Sequence, residues 1–225
     1  MVDIFNLIIN FFFHIDKNLA LAIRYFGPFS YLILFFVIFM ETGFVVTPFL
    51  PGDSLLFASG ALSTTGSFNI VLLWMLMVLA AFLGDTVNYW IGHFIGPKAF
   101  NPDFVICLFN RKFKMEKVLK QEYLEKAQTF YDKHGGKAIV LARFVPIVRT
   151  FAPFVAGIGK MSYGRFVSFN LVGGVLWVSL FTLGGFFFGS IPIVQRNFHF
   201  LVLAIILVSL VPIFYEWVKT KTSKS

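Results

Sequence analysis

Charge is scarce in this chain. Asp, Glu, Lys and Arg make up 13% of its 225 residues, against about 25% in soluble domains. That shortfall excludes an ordinary water-exposed surface. Cysteine is nearly absent. The single Cys107 excludes an internal disulfide and any cysteine-based metal cluster, and it reads as apolar filler in a polar connection. Histidine is rare. His14, His93, His134 and His199 are scattered, away from Arg143 and Arg149 and without metal-ligand spacing. The opening Met-Val-Asp lacks the positive stretch of a signal peptide. His14, Asp16 and Lys17 interrupt the apolar run before Ala20-Leu21-Ala22, so no cleaved leader is expected.

What is abundant is apolar. Hydrophobic residues make up 58% of the chain and the mean hydropathy is +0.81, the composition of an integral membrane protein. The 32 phenylalanines read as compositional bias, not as a binding device. The net charge of +8 is not a nucleic-acid signal, because the basic residues follow membrane topology.

Along the chain, residues 3–17 place Asp3, Asn6, Asn10, His14 and Lys17 on one helical stripe. The N-terminal stretch 1–26 is therefore expected to lie in the membrane interface. Residues 28–43, with the flank from about Leu19, can cross a hydrocarbon core that takes about 20 helical residues. The stretch 44–66 is apolar enough for the membrane, yet Pro48, Pro51 and Gly52 break it beside Asp53. Irregular backbone is tolerated at membrane depth only inside protein or beside a watery cavity. A re-entrant helix-turn-helix is the expectation, with a surface loop as the alternative. Residues 69–95 span, with Gly84, Asp85 and Asn88 late in the run. The connection 97–137 is polar and basic and contains an amphipathic helix over 114–134. A second broken segment, 138–160, carries Pro146, Pro153, Arg143 and Arg149. Two more spans, 163–190 and 198–217, precede a basic tail, 218–225.

The two broken segments share features. Each has two prolines, a charged residue and a small-residue turn (Ser59-Gly60; Ala156-Gly157). Each then passes through an aromatic-Asn step (Phe68-Asn69; Phe169-Asn170) into a long span. Lys and Arg crowd into the connection from Lys98 to Lys137 and into the tail, and are missing from 44–68. This bias puts both termini and the connection in the cytoplasm. The topology then closes only if the first broken segment dips in from outside and the second from inside. The expected fold is an all-α polytopic membrane protein of about four transmembrane helices, an inverted repeat with two re-entrant broken-helix hairpins and amphipathic interfacial helices. The whole chain forms one domain whose halves are 28–95 and 138–190.

Glu41, Asp53, Asp85, Arg143 and Arg149 all lie in or beside these apolar stretches. One charge at the centre of a membrane helix costs roughly 2.5–3.5 kcal/mol. Together they point to a site that handles an anion, a proton or both.

Several runs carry a family resemblance. They are Glu41-Thr42-Gly43, Pro51-Gly52-Asp53-Ser54-Leu55-Leu56-Phe57 with Gly60, and Gly84-Asp85 followed by Tyr89-Trp90 and Gly92. The last is Arg143-Phe144, Pro146 and Arg149, then Pro153, Ala156-Gly157, Met161, Phe166, Asn170, Gly173 and Trp177. This set resembles the DedA family, whose members carry the VTT, or SNARE-associated, domain. The match runs from about residue 14 into the last span. The resemblance implies a bacterial inner-membrane protein with two facing re-entrant loops that translocates lipid. The substrate would be undecaprenyl phosphate or a phospholipid, and transport would depend on the proton motive force and support envelope integrity. It also implies that Glu41, Asp53, Arg143 and Arg149 are the functional set.

Each charge has two readings. Arg143 and Arg149 flank Pro146, and a guanidinium grips phosphate oxygens with a planar fork. Alternatively each arginine neutralises an internal acid. A pair with no acids near it in sequence favours a ligand. Glu41 and Asp53 suit proton coupling, because a desolvated carboxylate takes up a proton at modest cost. Alternatively they are fixed counter-charges, or Asp53 caps a helix. Asp85 reads as structural, a partner for the second broken segment, with Pro51, Gly52, Pro146 and Asn170 in support. Lys160 and Arg165 read as snorkelling anchors.

The leading expectation is a carrier of lipid-linked phosphate, with membrane lipids and protons as partners and no cofactor, metal or nucleic acid. Whether it self-associates is open. A proton-coupled carrier of a small ion or cationic drug is the near alternative. A lipid phosphatase lacks a histidine beside its arginines, and a scaffold would tolerate loss of the five charges. The inverted topology predicts that cysteines placed at Ser63 and at Lys126 react with an impermeant reagent from opposite faces of the membrane. Labelling of both from one face would overturn it.

Overall fold

A computed structural model describes residues 23, 25–44, 52–99, 105–108, 111–114, 135–189 and 191. The expected interfacial segment up to residue 22, Pro48 and Pro51, the amphipathic helix over 115–134, the span 198–217 and the tail lie outside these residues. Within them the protein is helical. The helices are α1 (Phe29–Gly43), α2 (Gly52–Ser63), α3 (Ile70–Ala99), α4 (Lys137–Ala142), α5 (Pro146–Ile158) and α6 (Tyr163–Phe188). Two short strands, β1 (Val105–Leu108) and β2 (Arg111–Lys114), pair antiparallel with Val105 opposite Lys114. This hairpin in the basic connection departs from the all-helical expectation.

Among the described residues, two helices are long and apolar enough to cross a membrane, over Ile70–Phe94 and Tyr163–Phe188. The start of α3 is set by Asn69. Its Oδ1 accepts the backbone N–H groups of Val71 at 3.0 Å and Leu72 at 3.1 Å, which occupies donors that a helix start leaves unpaired. The break between α4 and α5 is set by Pro146. Proline supplies no N–H to the preceding turn, and it pushes the residue before it out of helical geometry. Val145 is accordingly extended, at φ −117° and ψ 106°. Pro153 lies inside α5 and removes the helical N–H that would pair with the Arg149 carbonyl.

Each half of the chain therefore runs helix, short helix, long helix. The packing crosses between halves: α2 packs on α6, and α5 packs on α3. Two apolar clusters result. One gathers Leu34 and Ile38 of α1, Leu55–Ala58 of α2, Leu73, Met77, Ala80 and Ala81 of α3, and Trp177 and Val178 of α6. The other gathers Tyr89 of α3, Ile139, Ala156, Met161 and Phe166. The first cluster takes the early residues of α3 and the late residues of α6, and the second takes the reverse. The two long helices are thus antiparallel, with a polar layer between the clusters.

The crossings are reciprocal. A methyl group added at Gly60 of α2 would stand 2.1 Å from the Thr182 carbonyl oxygen, and one at Gly185 would stand 2.0 Å from that of Phe57. In the other half, a methyl at Gly157 of α5 would stand 2.1 Å from the Tyr89 oxygen, and one at Gly92 would stand 2.1 Å from that of Phe154. A Phe-x-x-Gly on each short helix thus meets a residue and a glycine three apart on the long helix of the other half. Small residues let membrane helices approach backbone to backbone. The sequence reading took Ser59-Gly60 and Ala156-Gly157 as turns. Both lie within helices, and their smallness serves these crossings. Gly60→Val and Gly157→Val should each lower the thermal unfolding midpoint in detergent and the folded yield. Gly164→Ala, with open space around it, should leave both unchanged.

Candidate functional site

Between the two apolar clusters lies a buried layer of charge. Glu41 near the end of α1 is fully buried, and Asp53 lies in the first turn of α2. Asp85 and Asn88 come from α3, and Arg149 and Thr150 from α5. Arg143 follows α4, Asn170 and Trp177 belong to α6, and all but Asp53 are buried.

Arg149 is the centre of the layer. Its Nη2 donates to Glu41 Oε1, and its Nη1 donates to Asp53 Oδ1 at 2.5 Å. The indole Nε1 of Trp177 donates to that same Asp53 oxygen at 2.9 Å. The guanidinium carbon of Arg149 lies 4.9 Å from the centre of the Trp177 ring, a cation–π distance. The backbone N–H of Gly52 donates to Glu41 Oε1 at 3.3 Å. A side chain at residue 52 would run into the Glu41 carboxylate, since a methyl there would stand 1.8 Å from Oε2. Gly52 is therefore required by the approach of α2 to Glu41.

The second ion pair joins Arg143 to Asp85 through Nη2, which also donates to Asn170 Oδ1 at 2.5 Å. Asn170 in turn donates through Nδ2 to the Phe82 carbonyl at 3.2 Å. Gly173 and Gly174 leave room on α6 for Arg143. Methyl groups there would lie 3.0 Å from its Cδ and 3.6 Å from its Cζ. Asn88 links the two broken regions, donating to the Thr42 carbonyl at 3.1 Å and the Thr150 carbonyl at 2.6 Å. These are the residues next to Glu41 and Arg149.

The five charges singled out from the sequence thus converge in one layer. The arginines had been set apart because no acids lie near them in sequence. The structure supplies acids from far away: Asp53 is 96 positions from Arg149, and Glu41 is 108. Asp85 meets the second broken segment through Arg143. Asp53 Oδ1 accepts from Arg149 and from Trp177. Pro146 opens α5, while Pro51 lies outside the described residues. His93 is away from both arginines, stacked 6.0 Å from Tyr89.

The sequence assigns no role to Asn88, and it gives Trp177 packing or hydrogen bonding between helices without naming a partner. The signal for Asn88 was its position three residues after Asp85, on the same helical face. The indole N–H of Trp177 needs a partner once buried, and Asp53 supplies it. Among the described residues, several buried polar atoms in or beside the layer have no hydrogen-bond partner: Glu41 Oε2, Arg143 Nε, Arg149 Nε, Asn88 Oδ1 and Ser54 Oγ. Buried polar groups are otherwise almost always hydrogen-bonded, so each of these atoms calls for a physical account. Among the described residues no group of three or more His, Cys, Asp or Glu side chains could hold a metal ion.

A family model of the VTT domain matches residues 50–187. The chain is 49% identical over 223 residues to Protein DedA of Escherichia coli K12, covering 98% of this chain and 96% of that protein. It is 42% identical over 176 residues to an uncharacterized membrane protein of Mycobacterium leprae, covering 78% and 74%. It is 32% identical over 163 residues to the inner membrane protein YqjA of Escherichia coli K12, covering 72% and 69%. No solved structure matches.

Removing one member of a buried ion pair strands the other charge, at about 3–5 kcal/mol. Asp85→Asn should therefore lower folded yield and unfolding temperature more than the double change Asp85→Asn with Arg143→Gln. Equal losses in the two proteins, measured by thermal unfolding in detergent, would show that the pair is not coupled.

Proposed function

The chain belongs to the DedA family of VTT-domain membrane proteins, and from that premise we propose that it carries a lipid-linked phosphate across a bacterial inner membrane, coupled to protons. Undecaprenyl phosphate and phospholipids are the substrate class. The observation that carries the reading is the buried Arg149 of the second broken region, held by Glu41 and Asp53 at the two sides of the first break. In the proposed arrangement the stretches around 44–66 and 138–160 are re-entrant, their tips meet at this layer, and both termini are cytoplasmic. The chain acts as one domain with halves 28–95 and 138–190.

The charge count of the layer suggests how coupling works. Three carboxylates stand against two guanidiniums, so the layer carries one net negative charge when all five are ionised. An anionic headgroup would add to that charge and would compete with Glu41 and Asp53 for Arg149. Two protons taken up by these acids reverse the sign and release the guanidinium to a phosphate. The orphaned Oε2 of Glu41 is the oxygen on which a proton disturbs the Arg149 contact least, since Oε1 makes that contact. Asp53 is the more exposed carboxylate, at 14% for its side chain, and is the better placed to receive a proton first. Loss of the protons restores the internal ion pairs and expels the headgroup.

The test is movement of labelled undecaprenyl phosphate in proteoliposomes, with and without an imposed pH gradient. Glu41→Gln and Asp53→Asn should insert normally and lose the response to the gradient. Arg149→Lys keeps the charge but lacks the planar fork, and it should lose most of the transport. Parent-like responses in both neutral variants would mean that the carboxylates are structural. A fully active Arg149→Lys would reduce the arginine to charge balance.

A further inference from the structure

Trp177 touches both members of the central ion pair. It is 1% exposed. Its edge donates a hydrogen bond to Asp53 Oδ1 and its face lies against the Arg149 guanidinium. The two contacts differ in what they need from the pair. The indole N–H can donate to a carboxyl oxygen whether or not Asp53 carries a proton. The ring attracts the guanidinium through its quadrupole whatever anion the guanidinium holds. Neither contact depends on the Arg149–Asp53 bond being closed.

We propose that Trp177 is a positioning residue of the anion site, holding Asp53 by its indole edge and Arg149 by its ring face, so that both stay in place when their ion pair opens to a phosphate group. The inference rests on the proposed function for the identity of the anion, and on the geometry alone for the role of the tryptophan. Without such a holder, an opened Arg149 would be free to follow either carboxylate out of the site. A released Asp53, already partly exposed, would be free to turn from the layer. The indole limits both movements at once. It also makes the ring face one wall of the phosphate site, so a bound phosphate alters the charge beside the indole.

The purified parent protein tests this in detergent micelles. The emission of Trp177, taken as the difference between the parent and Trp177→Phe, is followed during titration with phosphatidic acid, with inorganic phosphate and with uncharged diacylglycerol. A shift with phosphatidic acid, absent with diacylglycerol and lost in Arg149→Gln, is the expected result. An equal shift with inorganic phosphate keeps the role and assigns the site to phosphate itself, not to a lipid. An emission that moves with neither phosphate probe overturns the proposal.

Two variants separate the contacts. Trp177→Phe keeps a ring face and loses the N–H donor, whereas Trp177→Leu loses both. Phosphatidic acid affinity should fall about fivefold or more in the leucine variant, the size of a partly desolvated cation–π contact, and less in the phenylalanine variant. A leucine variant that folds and binds as the parent does would overturn the role. If the leucine variant does not fold, the phenylalanine variant and the emission titration decide. An emission shift without lipid movement in proteoliposomes would sink the transport reading and leave the assignment of Trp177 standing.

Discussion

Two guanidiniums are buried among membrane-type helices, and the rest of the molecule is arranged around that fact. An unpaired buried charge costs several kcal/mol, so Arg143 and Arg149 each need acids within reach. Asp85 serves Arg143, and Glu41 with Asp53 serves Arg149. To deliver these groups, α1 must end at the layer, α2 must begin there and α5 must bring Arg149 to it. Pro146 opens α5, and Gly52 admits the Glu41 carboxylate where any larger residue would collide with it.

Helix α3 is the frame on which this is hung. It contributes to the first apolar cluster early, to the polar layer at Asp85 and Asn88, and to the second cluster at Tyr89. The antiparallel α6 does the same in reverse, through Phe166, Asn170 and Trp177. The short helices cross to the long helix of the other half at glycine-lined contacts. Each half is therefore incomplete without the other, and the ion pairs form only when both are in place. Stability alone gives little reason to keep such a layer, since apolar residues of similar volume often replace buried ion pairs without loss. The orphaned oxygens and nitrogens around it argue the same way. A layer that is costly, incompletely satisfied and shared by two halves is suited to a site whose partners exchange.

The composition and the apolar runs were enough to make this a helical membrane protein, because hydrocarbon length and hydropathy are additive properties of local sequence. Pro146 announced the break before α5, since proline acts on its own backbone and on the residue before it. Glu41, Asp53, Asp85, Arg143 and Arg149 were legible for the same reason: a charge in an apolar run is a local anomaly. The VTT-domain motifs likewise sit in short contiguous stretches.

Which charge meets which was not legible. Arg149 reaches Glu41 across 108 positions, and nothing in either neighbourhood encodes the distance between them. Gly60 and Gly157 looked like turn residues, because the helix that each must approach is contributed by the other half. Asn88 looked like an interruption until its amide was seen to join the Thr42 and Thr150 carbonyls. For Trp177 the sequence leaves packing and hydrogen bonding between helices both open, and the structure supplies the partners, Asp53 at its edge and Arg149 at its face. Local sequence determined where the helices run and where they break, because those are set by each residue's own backbone and by burial against lipid. Tertiary structure alone decided the partners in the charged layer, because pairing depends on the relative placement of segments a hundred residues apart.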